Sequence, residues 1–308
     1  MTAEIINGNE IASEVRNEVA KKVQLLKNKN EITPGLAAVL VGDDPASQVY
    51  VRNKGRACDE LGIYNETFRL EQSATQLELI SLIEKLNGDP KFDGILVQLP
   101  LPSHINEKEV IMRLEPSKDV DGLHPYNVGK LLEGSPLFVP ATPFGVQTML
   151  LRSGYDPGGK HVVIVGRSQI VGKPLAALLM QKEAGANATV TLCHTGTPDI
   201  AVFTRTADIL VAAIGRPNSI TEDMVSVNTI VIDVGINRIP DVSTKSGMRL
   251  VGDVDFEAVS RKVKAISPVP RGVGPMTIAM LLANTLKAAE HHLSLIHISE
   301  PTRLGMIS

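Results

Sequence analysis

The chain has 308 residues, 43% hydrophobic and 21% charged, with a formal net charge of −3. That length and apolar content allow two globular domains with real cores, and the weak acidity excludes a global basic field for nucleic acid or anionic lipid. Aromatic residues make up only 3% and tryptophan is absent, which speaks against a base-stacking platform.

In chain order, "MTAEIINGNEIASEVRNEVAKKVQ" lacks an apolar signal core and reads as an amphipathic helix. "GLAAVLVG" (35–42) is a continuous apolar run, hence a buried strand, and 46–62 has helical spacing with a glycine stop. A second helix covers 74–87, and "DGILVQ" follows as a strand. Prolines lead into a helix at about 143–153. Four more short β-branched runs follow at 161–166, 188–193, 207–215 and 228–235, each bounded by Gly, Pro or polar residues. The last strong helix, 275–293, is long and apolar on one face and is expected to pack back on the first domain. Apolar strands separated by helices predict an α/β fold of two domains with parallel sheets covered on both faces. No apolar run is long enough for a membrane span. The segment "SLIHISEPTRLGMIS" (294–308) breaks the helical pattern and resembles translated sequencing-adapter read-through, so it is set aside as a non-native tail. Cys58 and Cys193 have no metal-like spacing and no metal constellation stands elsewhere; two isolated thiols fit a reducing, cytoplasmic compartment.

"HVVIVGRSQIVGKPLAALL" is a strand, a glycine-bearing turn and a helix. Gly166 ends the strand and Gly172 opens the helix, whose N-terminus offers free amides and partial positive charge to a phosphate. Ser168 stands where G-x-G-x-x-G has its second glycine, so an ordinary strand-to-helix connection would explain the turn taken alone. The next strand ends "TLCHTGT", with no acid to hold a ribose 2′-hydroxyl. Arg167, Ser168 and Thr195 suit a 2′-phosphate, and the reading is NADP rather than NAD. His194 reads as a satisfied histidine before it reads as a catalyst.

In the other domain, Tyr50 and Lys54 stand at i and i+4 on one helix face. Lys54 taken alone is a solvated lysine, and Gln98 taken alone caps a turn. Gln98, however, ends an apolar strand, and ligands of parallel sheets bind beyond such ends. The Pro-Leu-Pro after it stops the ladder and turns the chain outward. Asp119 and Asp121 stand close together just before Gly122, where at least one is a turn former; a carboxylate facing a crevice could instead accept hydrogen bonds from an amino-heterocycle.

"YVRNK", "DGILVQLPLP", "KDVDGLHPYNVGKL", "PATPFGV", "VVIVGRSQIVGKPLA", "VIDVGIN", "VGDVDF" and "PVPRGVGPMTIAMLLANT" together resemble the bifunctional methylenetetrahydrofolate dehydrogenase/methenyltetrahydrofolate cyclohydrolase family, in order from about 5 to 293. The resemblance implies a folate-binding domain of residues 1–145 completed by 275–293, a Rossmann-like NADP domain of 146–274, and a site in the cleft between them. It implies that Lys54, Gln98 and Tyr50 are catalytic. Tyr50, Lys54, Val97, Gln98, Leu99 and Asp121 would meet the folate, joined by Pro270, Gly272, Gly274 and Pro275 of the "PVPRGVGPMT" loop. Gly166, Arg167, Ser168, Thr195 and Ile236 would meet the cofactor. It also implies a homodimer acting on a small-molecule folate. Two positions depart from the family pattern: Arg271 replaces its usual glycine, and Thr195 stands where many relatives have serine. An NADP dehydrogenase of another small substrate and a non-enzymatic NADP sensor remain as alternatives; the joint presence of Lys54, Gln98 and Asp121 speaks against both.

Overall fold

Short β-branched runs between polar breaks become strands because branched side chains pack well on a pleated, buried surface. The computed structural model describes residues 2–244 and 247–299, with side chains as far as 295. The described strands are β1 (Glu4–Ile5), β2 (Gly35–Val41), β3 (Tyr64–Leu70), β4 (Gly94–Val97), β5 (His161–Val165), β6 (Thr189–Cys193), β7 (Ile209–Ala212), β8 (Ile230–Asp233), β9 (Asn237–Pro240), β10 (Met248–Val251) and β11 (Ala265–Ile266). The chain divides into two compact units, 1–14 with 128–280 and 15–127 with 281–308.

The second unit holds a parallel three-stranded sheet in the order β3-β2-β4. Central β2 is buried at every position, as its unbroken apolar run predicts. Val39, Ile95 and Val97 pack with Leu79 and Ile83 of the Gln76–Gly88 helix in one core. That helix starts on a capping box: Thr75 accepts from the Glu78 amide while the Glu78 carboxylate takes the Thr75 amide. Edge strand β3, "YNETFRL", has no apolar run, because its charged and polar side chains alternate outward. It is absent from the sequence reading for that reason.

The Val273–Ser299 helix contributes its later turns to this unit. Asn284 Nδ2 donates to the Val120 carbonyl at 2.8 Å. His292 Nδ1 lies 3.0 Å from Asp93 Oδ1, and Asp93 Oδ2 accepts the Gly35 amide at 2.9 Å. One carboxylate thus ties the helix to the start of β2. The helix runs past the expected end at 293 to Ser299, so the break read at 294 is corrected for those residues. The rest of the tail, 300–308, lies outside the described residues. No described helix is long and apolar enough to cross a membrane.

The first unit holds six parallel strands in the order β1-β11-β8-β7-β5-β6. The four apolar runs of the sequence are β5 to β8, shortened to their hydrogen-bonded cores. From β5 the chain goes to β6 on one side and then to β7 on the other. Such a reversal of strand order opens a crevice at the carboxyl ends of the strands. The antiparallel pair β9-β10 stands apart as its own small ribbon.

Candidate functional site

The helix that carries Lys54, Pro45–Leu61, is started and stopped by its own sequence. Asp44 accepts the Ser47 amide at 2.7 Å with proline in the first turn, and Gly62 at φ 75° supplies the left-handed stop. Lys54 faces inward and is 8% exposed. Its Nζ donates to Gln98 Oε1 at 3.1 Å. Gln98 sits just past β4, its amide donating to the Val39 carbonyl at 2.9 Å and its Nε2 to the Leu99 carbonyl at 2.7 Å. Gln98 is thus a strand-end amide that also presents its oxygen to the lysine. Burial disfavours the charged ammonium and holds the Lys54 pKa below its ordinary value, with the Asp121 carboxylate opposing that effect. Tyr50, one turn before Lys54, is 37% exposed. The Lys54 amine is thus held by Gln98 through a hydrogen bond and lies within electrostatic reach of Asp121.

The neighbouring acid has a different role. Asp119 is 1% exposed, and its Oδ2 accepts the His124 amide at 2.7 Å and Asn127 Nδ2 at 2.8 Å. It is the turn former of the pair, and burial pushes its carboxyl up to about 7. Val97 is buried in the core, and Leu99 is half-buried against the same core. Cys58, one turn after Lys54, is buried and its thiol is pushed up to about 12, so it is no nucleophile.

In the six-stranded unit, Gly166 and Gly172 are required by close approach. Gly166 has φ 131°, and a Cβ there would lie 2.0 Å from the Ala213 carbonyl oxygen. A Cβ on Gly172 would lie 1.8 Å from the Gly166 oxygen. The two glycines seat the Gly172–Leu179 helix against the end of β5, with no side chain capping its first turn. Ser168 Oγ accepts the Val171 amide at 3.1 Å and closes the turn.

A cavity of about 500 Å³ opens where strand order reverses. Gly166, Arg167, Ser168 and Thr195 all line it, whereas Ile236, expected from the resemblance beside them, is not among its lining residues. Arg216, from the loop after β7, also lines it; nothing in the spacing of "AIGRPNS" marked that residue. Asp199 reaches the wall too, with Oδ1 accepting the Ala201 amide at 2.9 Å. His194 Nδ1 accepts the Gly196 amide at 3.0 Å, the satisfied histidine that was expected. Two guanidiniums, two hydroxyls and a glycine-lined turn that a single Cβ would fill form a donor set that fits a phosphorylated dinucleotide.

The "PVPRGVGPMT" loop belongs to the six-stranded unit, with a cis bond before Pro270. The Arg271 carbonyl accepts the Asn9 amide at 3.2 Å, and the Gly272 oxygen would be 1.8 Å from a Cβ on Gly8. Ile236 is 45% exposed, 3.7 Å from where a Cβ on Gly274 would stand; Pro275 follows in the helix that begins at Val273. Arg271 has φ 86°, a left-handed conformation that costs a non-glycine residue about 1–3 kcal/mol. Arg271→Gly is therefore expected to raise stability by about 1 kcal/mol after the entropy of glycine in the unfolded chain is subtracted. Chemical denaturation checks this, and an unchanged midpoint would show that the strain is absent.

Comparison with known proteins follows the same two halves. The family described as "Tetrahydrofolate dehydrogenase/cyclohydrolase, catalytic domain" matches residues 6–121, and its "NAD(P)-binding domain" matches 140–293. The chain is 57% identical over 297 residues to a bifunctional protein FolD from Dehalococcoides mccartyi, covering 96% of this chain and 100% of that one. The crystal structure of the bifunctional enzyme FolD from Campylobacter jejuni is 47% identical with a TM-score of 0.88, over 94% of this chain and 99% of that one. A Trypanosoma brucei methylenetetrahydrofolate dehydrogenase-cyclohydrolase, solved with NADP cofactor and inhibitor, is 38% identical with a TM-score of 0.90, over 95% and 99%. By fold, by the gathered lysine, glutamine and aspartate, and by these matches, the chain belongs to the tetrahydrofolate dehydrogenase/cyclohydrolase family.

Proposed function

We propose that this chain oxidises 5,10-methylenetetrahydrofolate to 5,10-methenyltetrahydrofolate with NADP, and then hydrolyses that product to 10-formyltetrahydrofolate. The observation that carries the reading is the buried Lys54 amine, held by Gln98 and facing the charge of Asp121. The first step removes hydride from a carbon flanked by two nitrogens, whose lone pairs stabilise the cation that forms. It needs orientation more than acid or base chemistry. NADP, when bound, supplies the hydride acceptor. Asp121 accepts hydrogen bonds from the pterin edge and Tyr50 lines the folate. Val97, Leu99 and the loop residues Pro270, Gly272, Gly274 and Pro275 complete its contacts.

In the second step water attacks the methenyl carbon. Lys54, its ammonium form disfavoured by burial, takes one proton of the water as a neutral amine and returns it to the ring nitrogen as the bond from that nitrogen to the former methenyl carbon breaks; the remaining hydroxyl proton is released to solvent as the formyl carbonyl forms. Gln98 orients the amine without adding charge. Gly166, Arg167, Ser168 and Thr195 hold the phosphorylated dinucleotide, and Ile236 meets its nicotinamide half. This assigns folate to residues 1–145 with 275–293 and the dinucleotide to 146–274. Both cysteines are free and buried, which supports a reducing, cytoplasmic setting. A homodimer follows from the family resemblance.

NADPH formation with methylenetetrahydrofolate tests the reading; no turnover with either dinucleotide would overturn it. Arg167 and Arg216 outnumber Asp199 on the cavity wall, so NADP is preferred over NAD. Arg167→Ala is expected to cut that preference about 10–100-fold, the equivalent of about 1.5–3 kcal/mol for a hydrogen bond to a charged group. Equal kcat/KM for the two dinucleotides in the parent enzyme would refute the choice of NADP.

A further inference from the structure

The motifs "VIDVGIN" and "VGDVDF" each carry an aspartate that the two reactions leave unused. Asp233, the last residue of β8, is 2% exposed. Its Oδ1 accepts the amides of Gly235 at 3.0 Å and Asp253 at 2.9 Å, and its Oδ2 accepts the Val254 amide at 3.0 Å. Asp253 is fully buried in turn. Its Oδ2 accepts the amides of Ile214 at 2.6 Å and Gly215 at 2.9 Å, and its Oδ1 accepts Asn237 Nδ2 at 2.9 Å. One carboxylate thus fixes the backbone that carries the other. The glycines of the two motifs make room for them: a Cβ on Gly235 would lie 2.1 Å from Asp253 Oδ1, and one on Gly252 1.8 Å from Asp233 Oδ2.

What Asp253 holds is the wall of the dinucleotide cavity. Ile214 and Arg216 both line that cavity, on either side of the clamped Gly215 amide. Asn237, the third partner, adjoins Ile236. A loop end with two main-chain amides on one carboxylate oxygen has little freedom to drift, because releasing it would leave a buried charge without partners.

We propose that Asp253 is a positioning residue for the dinucleotide cavity: by clamping the Ile214 and Gly215 amides it fixes where Arg216 meets the anionic cofactor. The proposal rests on reading this cavity as the NADP site. Asp253 itself touches no substrate atom in this scheme; it acts through the loop.

The test is NADP affinity by calorimetry and steady-state KM in four proteins: parent, Asp253→Ala, Arg216→Ala and the double variant. Asp253→Ala is expected to raise the NADP Kd and KM about 10–100-fold, the range seen when a supporting hydrogen-bond partner of a binding group is removed. The fall in kcat should be smaller than the rise in KM. Hydrolysis of methenyltetrahydrofolate without NADP should persist and reports a folded protein. Arg216→Ala should weaken binding in the parent but add little in Asp253→Ala, since the arginine is already misplaced there. Asp253→Asn should stay within about threefold of the parent: Asn237 can turn its amide, and all three hydrogen bonds re-form. Unchanged NADP affinity in Asp253→Ala, or fully additive effects of the two substitutions, would overturn the proposal. If Asp253→Ala does not fold, Asp253→Ser is read by the same criteria. A parent that binds no NADP removes the reading of the cavity and the proposal with it; a parent that binds NADP while Asp253→Ala matches it removes the proposal alone.

Discussion

Lys54→Met is expected to slow hydrolysis of methenyltetrahydrofolate by about 10²–10⁴-fold, the usual worth of a positioned acid–base group. NADPH formation should stay within about tenfold of the parent, because orientation governs that step. Methionine keeps the length and apolar stem of the side chain and removes only the amine, so the buried helix face stays filled. The pH dependence separates the roles further. The base is the neutral amine, and burial lowers the Lys54 pKa, so hydrolysis in the parent rises with pH through that lowered value. Lys54→Met should lose this limb. Two assays read the outcome: absorbance of NADPH, and decay of the methenyl chromophore. Abolished NADPH formation with intact hydrolysis would show that the assignment of Lys54 is wrong.

Gly172→Ala should have an effect of similar size on the other half of the chemistry. The new Cβ would stand 1.8 Å from the Gly166 oxygen and 2.6 Å from its carbonyl carbon, both main-chain atoms that no side-chain rotation can move aside. The helix start must retreat from the end of β5, and the turn that carries Arg167 and Ser168 moves with it. A displacement of about 1 Å at a positioning element can cost about 10²-fold, and a loss of that order is expected in kcat/KM for NADP. Overpacking should also lower stability by about 1–3 kcal/mol. Hydrolysis of methenyltetrahydrofolate supplied directly should persist, because Lys54 and Gln98 belong to the other compact unit. A normal KM for NADP in this variant would show that the glycine contact is not needed for the cofactor.

Most of the sheet was legible in the sequence because parallel strands are buried on both faces and read as unbroken apolar runs. β2, β4, β5, β7 and β8 were found that way, and edge strand β6 by its β-branched residues, each within a few residues of its observed limits. β3 was missed because an edge strand with Glu66 and Arg69 on it has no such run. The ribbon β9-β10 was missed for the same reason: Arg238 and Arg249 interrupt short exposed strands. The C-terminal helix was read as ending too early, since local composition after 293 gave no continuing apolar face.

The candidate site divides along a similar line. Local rules identified the glycine turn, because close main-chain approach demands glycine wherever it occurs, and they marked Arg167, Ser168 and Thr195 as phosphate donors. They also placed Gln98 at a strand end and Tyr50 one turn from Lys54. The roles proposed for Asp121 at the pterin and for Lys54 in proton transfer came from the family resemblance, since each residue alone has an ordinary surface reading. What the sequence by itself determined about this protein is the set of longer apolar or β-branched strands, the glycine turn from Gly166 to Gly172 and the family; the two-residue strands β1 and β11 are too short to stand out as runs, although β11 is buried. Only the tertiary structure decided that Arg216 joins Arg167 on one cavity and that Asp253 ties the loop after β7 to the start of β9, while the meeting of the Lys54 amine with Gln98, implied by the resemblance, is seen there as a hydrogen bond. Those contacts join residues far apart in the chain, and burial, which no local pattern records, sets both the basicity of the lysine and the need for every carboxylate oxygen of Asp253 to be matched by a donor.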